Sequence, residues 1–250
     1  MKRKLGQNFL IDRNIAEKEI KSADIKKNDI VLEIGPGKGI LTEILSKRAK
    51  KVIAVEIDSK LADNLLEKKL KNVEIINDDI LKIDMNSDIK FDKVVSNLPY
   101  QISSPFTFNL IKTNFDLAVI IYQKEFALRM VAYSNNKNYS RLSVAMSYYT
   151  NSEILDIVSK NCFNPKPRVD SCIVRIIPRK EKPFYLENEQ FFFILTRELF
   201  NHRRKKIKTI ISSKYKDIKL NSLPFLDDRV ENLTPREIGI LSNKIYKLIN

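Results

Sequence analysis

Histidine, cysteine and long apolar runs are scarce in this chain of 250 residues, and each shortage argues against a class of function. The single histidine, His202, argues against a Ser-His-Asp triad and against a histidine-rich metal site. Cys162 and Cys172 lie ten residues apart without a CxxC pair. We therefore expect two reduced structural thiols and no bound metal. A membrane-spanning helix would need about 18 consecutive apolar residues, and no such run occurs.

Acidic residues are also in deficit, with 31 Asp and Glu against 45 Lys and Arg, which gives a formal net charge of +14. Such an excess favours a polyanionic partner, with nucleic acid preferred over an anionic membrane surface. Residues 1–7 are basic, but no apolar signal core follows them. We therefore expect a cytoplasmic protein that does not use a membrane.

Over the first 180 residues, short β-branched runs alternate with helix-like segments, a pattern typical of a parallel sheet with helices on both faces. Strands are predicted at 30–34, 51–56, 73–76, 93–96 and 117–123, with a hairpin-like pair at 154–158 and 171–177 that closes the sheet. Helices are predicted at 40–48, 59–70 and 124–133. The fold class is thus α/β.

A second, helical part is predicted after a charged, proline-containing stretch at 178–183. Its helices are expected at 188–201, 203–213 and 234–249. Thr234, Pro235 and Glu237 form a typical helix start, with an N-cap, a proline at the first position and a capping glutamate. We therefore predict two domains, a Rossmann-like domain at 1–180 and a small basic helical domain at 181–250.

A glycine turn, Gly35-Pro36-Gly37-Lys38-Gly39, follows the first predicted strand. Glycine has no Cβ and adopts positive φ, so such a turn brings backbone close to a ribose or an amino acid moiety. Glu56 closes the next strand, 21 positions after Gly35, where a carboxylate can accept hydrogen bonds from a ribose diol. Asp79 follows the third strand and can accept from an adenine amine, with Asp78 an equal competitor.

The GxGxG spacing differs from the GxGxxG of dinucleotide-binding proteins and favours S-adenosylmethionine over NAD as the cofactor. Downstream, Asn97-Leu98-Pro99-Tyr100 comes directly after the fourth strand. The Asn97 side-chain oxygen and the Leu98 carbonyl, held extended by Pro99, supply two acceptors for an exocyclic amine. Tyr100 can stack on the base. These residues predict methyl transfer to an amino nitrogen of a base.

These motifs resemble the ribosomal RNA adenine dimethylases, specifically the small-subunit dimethyladenosine transferases. The resemblance covers nearly the whole chain. It is carried by residues 5–10, 33–37, 55–58 and 78–79, by 97–105 and 165–171, and by the basic stretch 199–206. Residues 101–106 look closer to archaeal than to bacterial members.

The resemblance implies N6,N6-dimethylation of two adjacent adenosines near the 3′ end of 16S (small-subunit) rRNA, during small-subunit biogenesis. It implies a cofactor site formed by Asn8, Leu10, Gly35, Glu56, Asp79 and Asn97. It also implies a target adenine held by Asn97, Leu98, Pro99 and Tyr100, with Phe163 as a second stacking ring. The expected partners are small-subunit rRNA and the immature small ribosomal subunit, bound by a monomer.

Residues 196–219 contain nine basic side chains against two acidic ones, a charge of +7. A ridge along rRNA phosphates fits this charge better than an amphipathic membrane face does. The predicted RNA contacts are Arg203, Arg204, Lys205, Lys206 and Lys208. Two other functions remain open: a 23S rRNA adenine methylase of the macrolide-resistance type, and a non-catalytic ribosome assembly factor on the same scaffold.

Overall fold

The computed structural model describes residues 7–215 and 218–249, which divide into two compact units. The first unit contains the described residues up to Ala127 together with Asn151–Pro178. The second contains Leu128–Thr150 and the described residues from Arg179 onward. Leu5 and Gly6 of the N-terminal motif, and Lys216 and Asp217 of the basic stretch, lie outside the described residues.

The first unit is built on a seven-stranded sheet, within the described residues, in the order β4-β3-β2-β5-β6-β9-β7. The first five of these are parallel to their neighbours, whereas β9 runs antiparallel to β6. The sheet strands are β2 Ile30–Ile34, β3 Lys51–Val55, β4 Val73–Ile76, β5 Lys93–Asn97, β6 Leu117–Gln123, β7 Thr150–Val158 and β9 Ser171–Pro178. A separate two-stranded sheet pairs β1 Phe9–Leu10 with β8 Phe163–Asn164.

Helices follow the strands of this unit, as expected for βαβ connections. They are α1 Arg13–Ser22, α2 Ile40–Leu45, α3 Ser59–Glu67, α4 Ser103–Leu110 and α5 Lys124–Met130. The start of α3 shows how local sequence sets an element boundary. The Asp58 carboxylate accepts from the backbone N–H of Lys60 at 3.0 Å and of Leu61 at 3.4 Å, which satisfies donors that the first helical turn leaves unpaired.

The order of the strands places a switch point between β2 and β5, because successive connections lead to opposite sides of the sheet. The ladder between these two strands contains only Val31–Lys93 and Leu32–Val94. Beyond it the carboxyl ends part, and a crevice opens between them. Such a crevice is where open α/β sheets bind ligands.

An apolar cluster fixes α1 and α2 on one face of the sheet. Val31 and Val52 from the strands pack there with Ala16, Ile20 and Leu45 from the helices, and all five are buried. Because side chains alternate along a strand, Glu33 points to the same face as Val31.

The second unit has its own core. Its helices are α6 Arg141–Tyr149, α7 Glu189–Asn201, α8 Ile207–Lys214 and α9 Pro235–Ile249. Tyr139, Phe192, Leu199, Ile207 and Leu241 are fully buried within one cluster. None of the helices in the described part of the chain combines the length and apolar character that crossing a membrane requires.

The division into units differs from the predicted domains in one respect. The division after Pro178 lies close to the predicted boundary at 180, but 128–150 groups with the second unit rather than the first. The reason is packing, since Tyr139 and Val144 belong to the core that the later helices form. Elements β1, α1, α4, α6 and β8 had no counterpart among the predicted segments.

Candidate active site

An open cavity with about 1030 Å³ of empty space lies in the first unit, at the carboxyl ends of β2, β3 and β5. It brings together residues that are far apart in the sequence. Nine residues that were predicted to contact the cofactor or the base line this cavity: Asn8, Leu10, Gly35, Glu56, Asp79, Asn97, Leu98, Pro99 and Tyr100.

The glycine turn is in contact with the other two motifs of the site. Gly35 has φ +63°, and a Cβ placed on it would lie 2.9 Å from Pro99 Cγ. Gly37 has φ +57°, and a Cβ there would lie 2.7 Å from the Phe9 ring. Both positions therefore need glycine for its conformation and for its small size. The missing side chains keep backbone exposed to the cavity.

Glu56 is held at the end of β3 by two backbone amides. Its carboxylate accepts from Gly37 N at 3.1 Å and from Asp58 N at 3.0 Å. Burial raises the pKa of Glu56, and these amide hydrogen bonds oppose the rise. A carboxylate so oriented retains further lone pairs for a diol, and Glu56 also braces the turn that it faces.

Asp78 and Asp79 differ in exposure and in hydrogen bonding, a difference that the sequence did not reveal. Asp79 is half-buried and caps the short helical turn 80–82, accepting from Leu81 N at 3.0 Å. Asp78 is exposed and accepts from the backbone N–H of Asp79 at 2.6 Å. Both line the cavity. Asp79 has the more fixed carboxylate, so it stays our prediction for the adenine contact.

The base corner begins where β5 ends. Asn97 Nδ2 donates to the Asn8 carbonyl at 3.1 Å. This hydrogen bond sets the orientation of the amide, and Oδ1 is the atom that can accept from a ligand. Leu98 is buried, and Pro99 has an extended backbone with ψ 124°. Asn97 and Leu98, which carry the two predicted acceptors, both lie at the cavity, and the Asn97 amide is held there by Asn8.

Tyr100 lines the cavity with its ring anchored at the far end. Its hydroxyl lies 2.7 Å from Ser171 Oγ, at the start of β9, and burial raises its pKa. Sequence reasoning did not single out Ser171 for this role. Its only signal was its place in the motif 165–171.

The structure does not place Phe163 in the cavity. Its side chain is buried in the apolar cluster under α1 and α2, and its backbone pairs with Leu10. The ring belongs to the core in this conformation, so its role as a second stacking surface stays a prediction. Phe9, which the sequence did not single out beyond its motif, lies at the cavity instead, with Lys38 Nζ 5.4 Å from its ring centre.

The predicted basic residues lie in the second unit, and one of them has a structural role. The guanidinium of Arg203 donates to Glu231 at 2.7 Å and to the carbonyls of Lys137 and Asn136 at 2.9 and 3.1 Å. Arg204, Lys205, Lys206 and Lys208 are exposed, and Lys206 pairs with Asp227 at 3.1 Å.

The helix predicted at 203–213 is wrong at its start. Residues 202–205 form a turn. The backbone of Lys206 then forms an isolated antiparallel β-bridge with that of Arg229, and α8 begins at Ile207. Arg203 and Lys206 therefore lie before α8 and not within it. By contrast, α9 starts as predicted, because Thr234 and Glu237 exchange the hydrogen bonds of a capping box.

Comparison with known proteins identifies the family of this chain. The sequence model of the ribosomal RNA adenine dimethylase family matches residues 1–245. The chain belongs to this family. Its cofactor is S-adenosylmethionine, and the glycine turn with Glu56 and Asp79 is a donor and acceptor set that fits it.

Individual relatives place the chain more narrowly. It is 46% identical to a probable ribosomal RNA small subunit methyltransferase A from Methanococcus aeolicus, over 99% of this chain and 97% of that protein. A crystal structure of a dimethyladenosine transferase from Plasmodium falciparum matches with TM-score 0.82 and 32% identity, over 96% of this chain and 98% of that chain. The structure of the 23S rRNA methyltransferase ErmE matches with TM-score 0.70 and 26% identity, over 97% and 100%.

We expect replacement of Gly35 by Ala to weaken S-adenosylmethionine binding at least tenfold. A Cβ at this position meets Pro99 and is strained at φ +63°, so the turn and the base corner must move apart. Equilibrium dialysis with labelled cofactor measures the change. The matched control is Ala54→Gly on the neighbouring strand, which alters one methyl group away from the turn; unchanged binding in Gly35→Ala would contradict the fit.

The Tyr100–Ser171 hydrogen bond should act on turnover rather than on cofactor affinity. We expect Tyr100→Phe and Ser171→Ala each to lower kcat roughly 2–10-fold, the range for one hydrogen bond of 0.5–1.5 kcal/mol. The double variant should be no worse than either single one, because both remove the same interaction. Additive losses would show that the two hydroxyls act separately.

Proposed function

We propose that this protein transfers methyl groups from S-adenosylmethionine to N6 of two adjacent adenosines near the 3′ end of small-subunit rRNA, giving N6,N6-dimethyladenosine. The observation that carries the proposal is the contact between Gly35 and Pro99, which joins a cofactor turn to a corner that accepts an amine. The small-subunit substrate is supported by the names of the archaeal relative and of the dimethyladenosine transferase.

The chemical task is to make a poor nucleophile react. The lone pair of an exocyclic adenine amine is delocalised into the ring, and the bound cofactor supplies an electrophilic methyl group. In the first transfer Asn97 Oδ1 and the Leu98 carbonyl accept from the two N–H groups, which favours tetrahedral geometry at nitrogen and frees the lone pair. In the second transfer one N–H remains for these acceptors. Each transfer releases one amine proton to solvent. Because Asn97 Nδ2 is already committed to Asn8, the amide cannot present its donor end without losing that bond.

Tyr100 holds the plane of the base. Its ring borders the cavity, and the hydrogen bond of its hydroxyl to Ser171 fixes the direction of the ring's long axis. Stacking of a base on such a ring contributes about 1–3 kcal/mol and does not depend on base identity. Selection of adenine therefore depends on the two amine acceptors rather than on the stack.

RNA binding needs phosphate contacts as well, because the target adenine must leave its stack to enter a cavity of this kind. The exposed side chains of Arg204, Lys205 and Lys208 are suited to this. Arg203 acts indirectly, by holding the loop at Asn136 and Lys137 to Glu231. We assign the immature small subunit as substrate, a monomer as the active form, a cytoplasmic location, and no requirement for a metal or a membrane.

A second candidate is a 23S rRNA adenine methylase, which the likeness to ErmE supports over nearly the whole chain. The higher identity to the small-subunit relative favours our proposal. A non-catalytic assembly factor would not need the cofactor turn and the base corner that this chain retains.

The function is tested by incubating the protein with labelled S-adenosylmethionine and ribosomal subunits that lack the modification, and by identifying the products by mass spectrometry. We expect N6,N6-dimethyladenosine in small-subunit rRNA. Label confined to large-subunit rRNA would replace the proposal with the second candidate. No label, with binding to both cofactor and subunits intact, would favour the assembly factor.

RNA affinity should fall steeply with salt, and Arg204→Ala/Lys205→Ala/Lys208→Ala should flatten this dependence. The expected change in the log–log slope is roughly 0.7–0.9 for each phosphate contact that is lost. The matched control is Lys27→Ala/Lys47→Ala/Lys50→Ala, which removes the same charge from exposed lysines of the first unit. Equal slopes in the two triple variants would refute the assignment.

A further inference from the structure

Two glutamates of the first unit are buried, and no ion pair within the described part of the chain neutralises them. Glu19 on α1 is 0% exposed and Glu33 on β2 is 1% exposed. Both side chains face the apolar cluster that contains Ala16, Ile20 and Val31. Within the described residues, neither oxygen of Glu19 nor Oε2 of Glu33 has a hydrogen-bond partner. Glu33 also lines the cavity.

An ionised carboxylate with unpartnered oxygens in such surroundings costs several kcal/mol. Burial accordingly raises the pKa of Glu33 to about 8. Burial also raises the pKa of Glu19 well above its ordinary value, and the nearby Glu33 charge adds to this effect. Burial and the unpartnered oxygens thus favour the protonated form of both acids. Two interacting acids of this kind lose their protons in separate steps.

The groups that face this pair from the neighbouring elements do not supply a positive charge. Thr42 on α2 favours ionised Glu33, while Glu56 at the end of β3 disfavours it. The backbone N–H of Ser96 on β5 favours ionised Glu19 without reaching hydrogen-bond geometry. The buried lysine of β5, Lys93, is already paired with Asp29 at 2.8 Å.

S-adenosylmethionine brings the missing charge, since it carries a sulfonium and an ammonium against one carboxylate. The charged residues that line the cavity are predominantly acidic: Glu33, Glu56, Asp78 and Asp79 against Lys38. A cation in this cavity favours the ionised form of the acid beside it. Of the buried pair, it is Glu33 that lines the cavity, so Glu33 is the acid that responds.

We infer that Glu19 and Glu33 form a carboxyl pair that is fully protonated in the cofactor-free protein, and that binding of S-adenosylmethionine releases one proton from Glu33 to solvent while Glu19 keeps its own. The Glu33 O–H bond breaks, the carboxylate remains beside the cationic cofactor, and the buffer takes the proton. Glu19 is thus a positioning residue that limits the pair to a single negative charge. The inference rests on the cofactor of the proposed function but not on its RNA substrate.

Calorimetric titration of the protein with S-adenosylmethionine, without RNA, in buffers of different ionisation enthalpy measures the protons released. At pH 7 we expect about one proton per cofactor, and affinity that rises up to tenfold per pH unit below the transition. Glu33→Gln should abolish the release. Binding without proton release, or release that persists in Glu33→Gln and so points to Glu56, would overturn the inference alone. No binding at all would overturn the cofactor assignment with it.

Infrared difference spectra of the unsubstituted protein test the pair even if Glu33→Gln binds no cofactor. The carbonyl stretch of one protonated carboxylic acid should disappear on binding and a second should persist. Glu19→Gln should remove the persistent band. Glu17→Gln, at a half-buried position of the same helix whose carboxylate pairs with Arg48, should leave both bands. Two acid bands that survive binding, or none before it, would refute the pair.

Discussion

The close approach of Gly35 to Pro99 is the constraint on which the rest of the site depends. It occurs where β2 and β5 part, so the backbone that follows β2 lies close to the proline ring that follows β5. The base corner at Asn97, Leu98 and Pro99 can lie this close to the cofactor turn because residue 35 has no side chain. Glu56 reinforces the same turn through Gly37. The cofactor site and the base site are therefore held together by direct contacts, so a change in one displaces the other.

Features that depend on local sequence could be predicted from it. The central strands, the glycine turn and Glu56 follow from apolar runs, glycine spacing and the order of elements. The start of α9 was equally readable, because Thr234 and Glu237 complete their cap within one turn. The place of Asn97 at the cavity could be predicted for the same reason, since it ends a predicted strand and is followed by the motif of Pro99 and Tyr100.

Features that depend on contacts distant in sequence could not be predicted. Arg203 looks like one of several exposed basic residues until the fold brings Glu231 and the loop at 136–137 to its guanidinium. The start of α8 also depends on a distant contact, because the backbone of Lys206 pairs with that of Arg229 just before the helix begins. Ser171 meets Tyr100 across 71 positions, and Glu19 is a buried acid on a helix that sequence reasoning did not predict. No local pattern distinguishes these side chains from solvated ones.

The discontinuity of the second unit has a consequence for how the protein is made. Tyr139 and Val144 enter the core of this unit, yet they are synthesised before strands β7 and β9 of the first unit. On the ribosome, neither unit can complete its core from one uninterrupted stretch of nascent chain. A gene fragment that begins at Arg179 would encode helices without two of their central buried side chains. We therefore expect the whole chain to fold independently, but not a fragment that begins at Arg179.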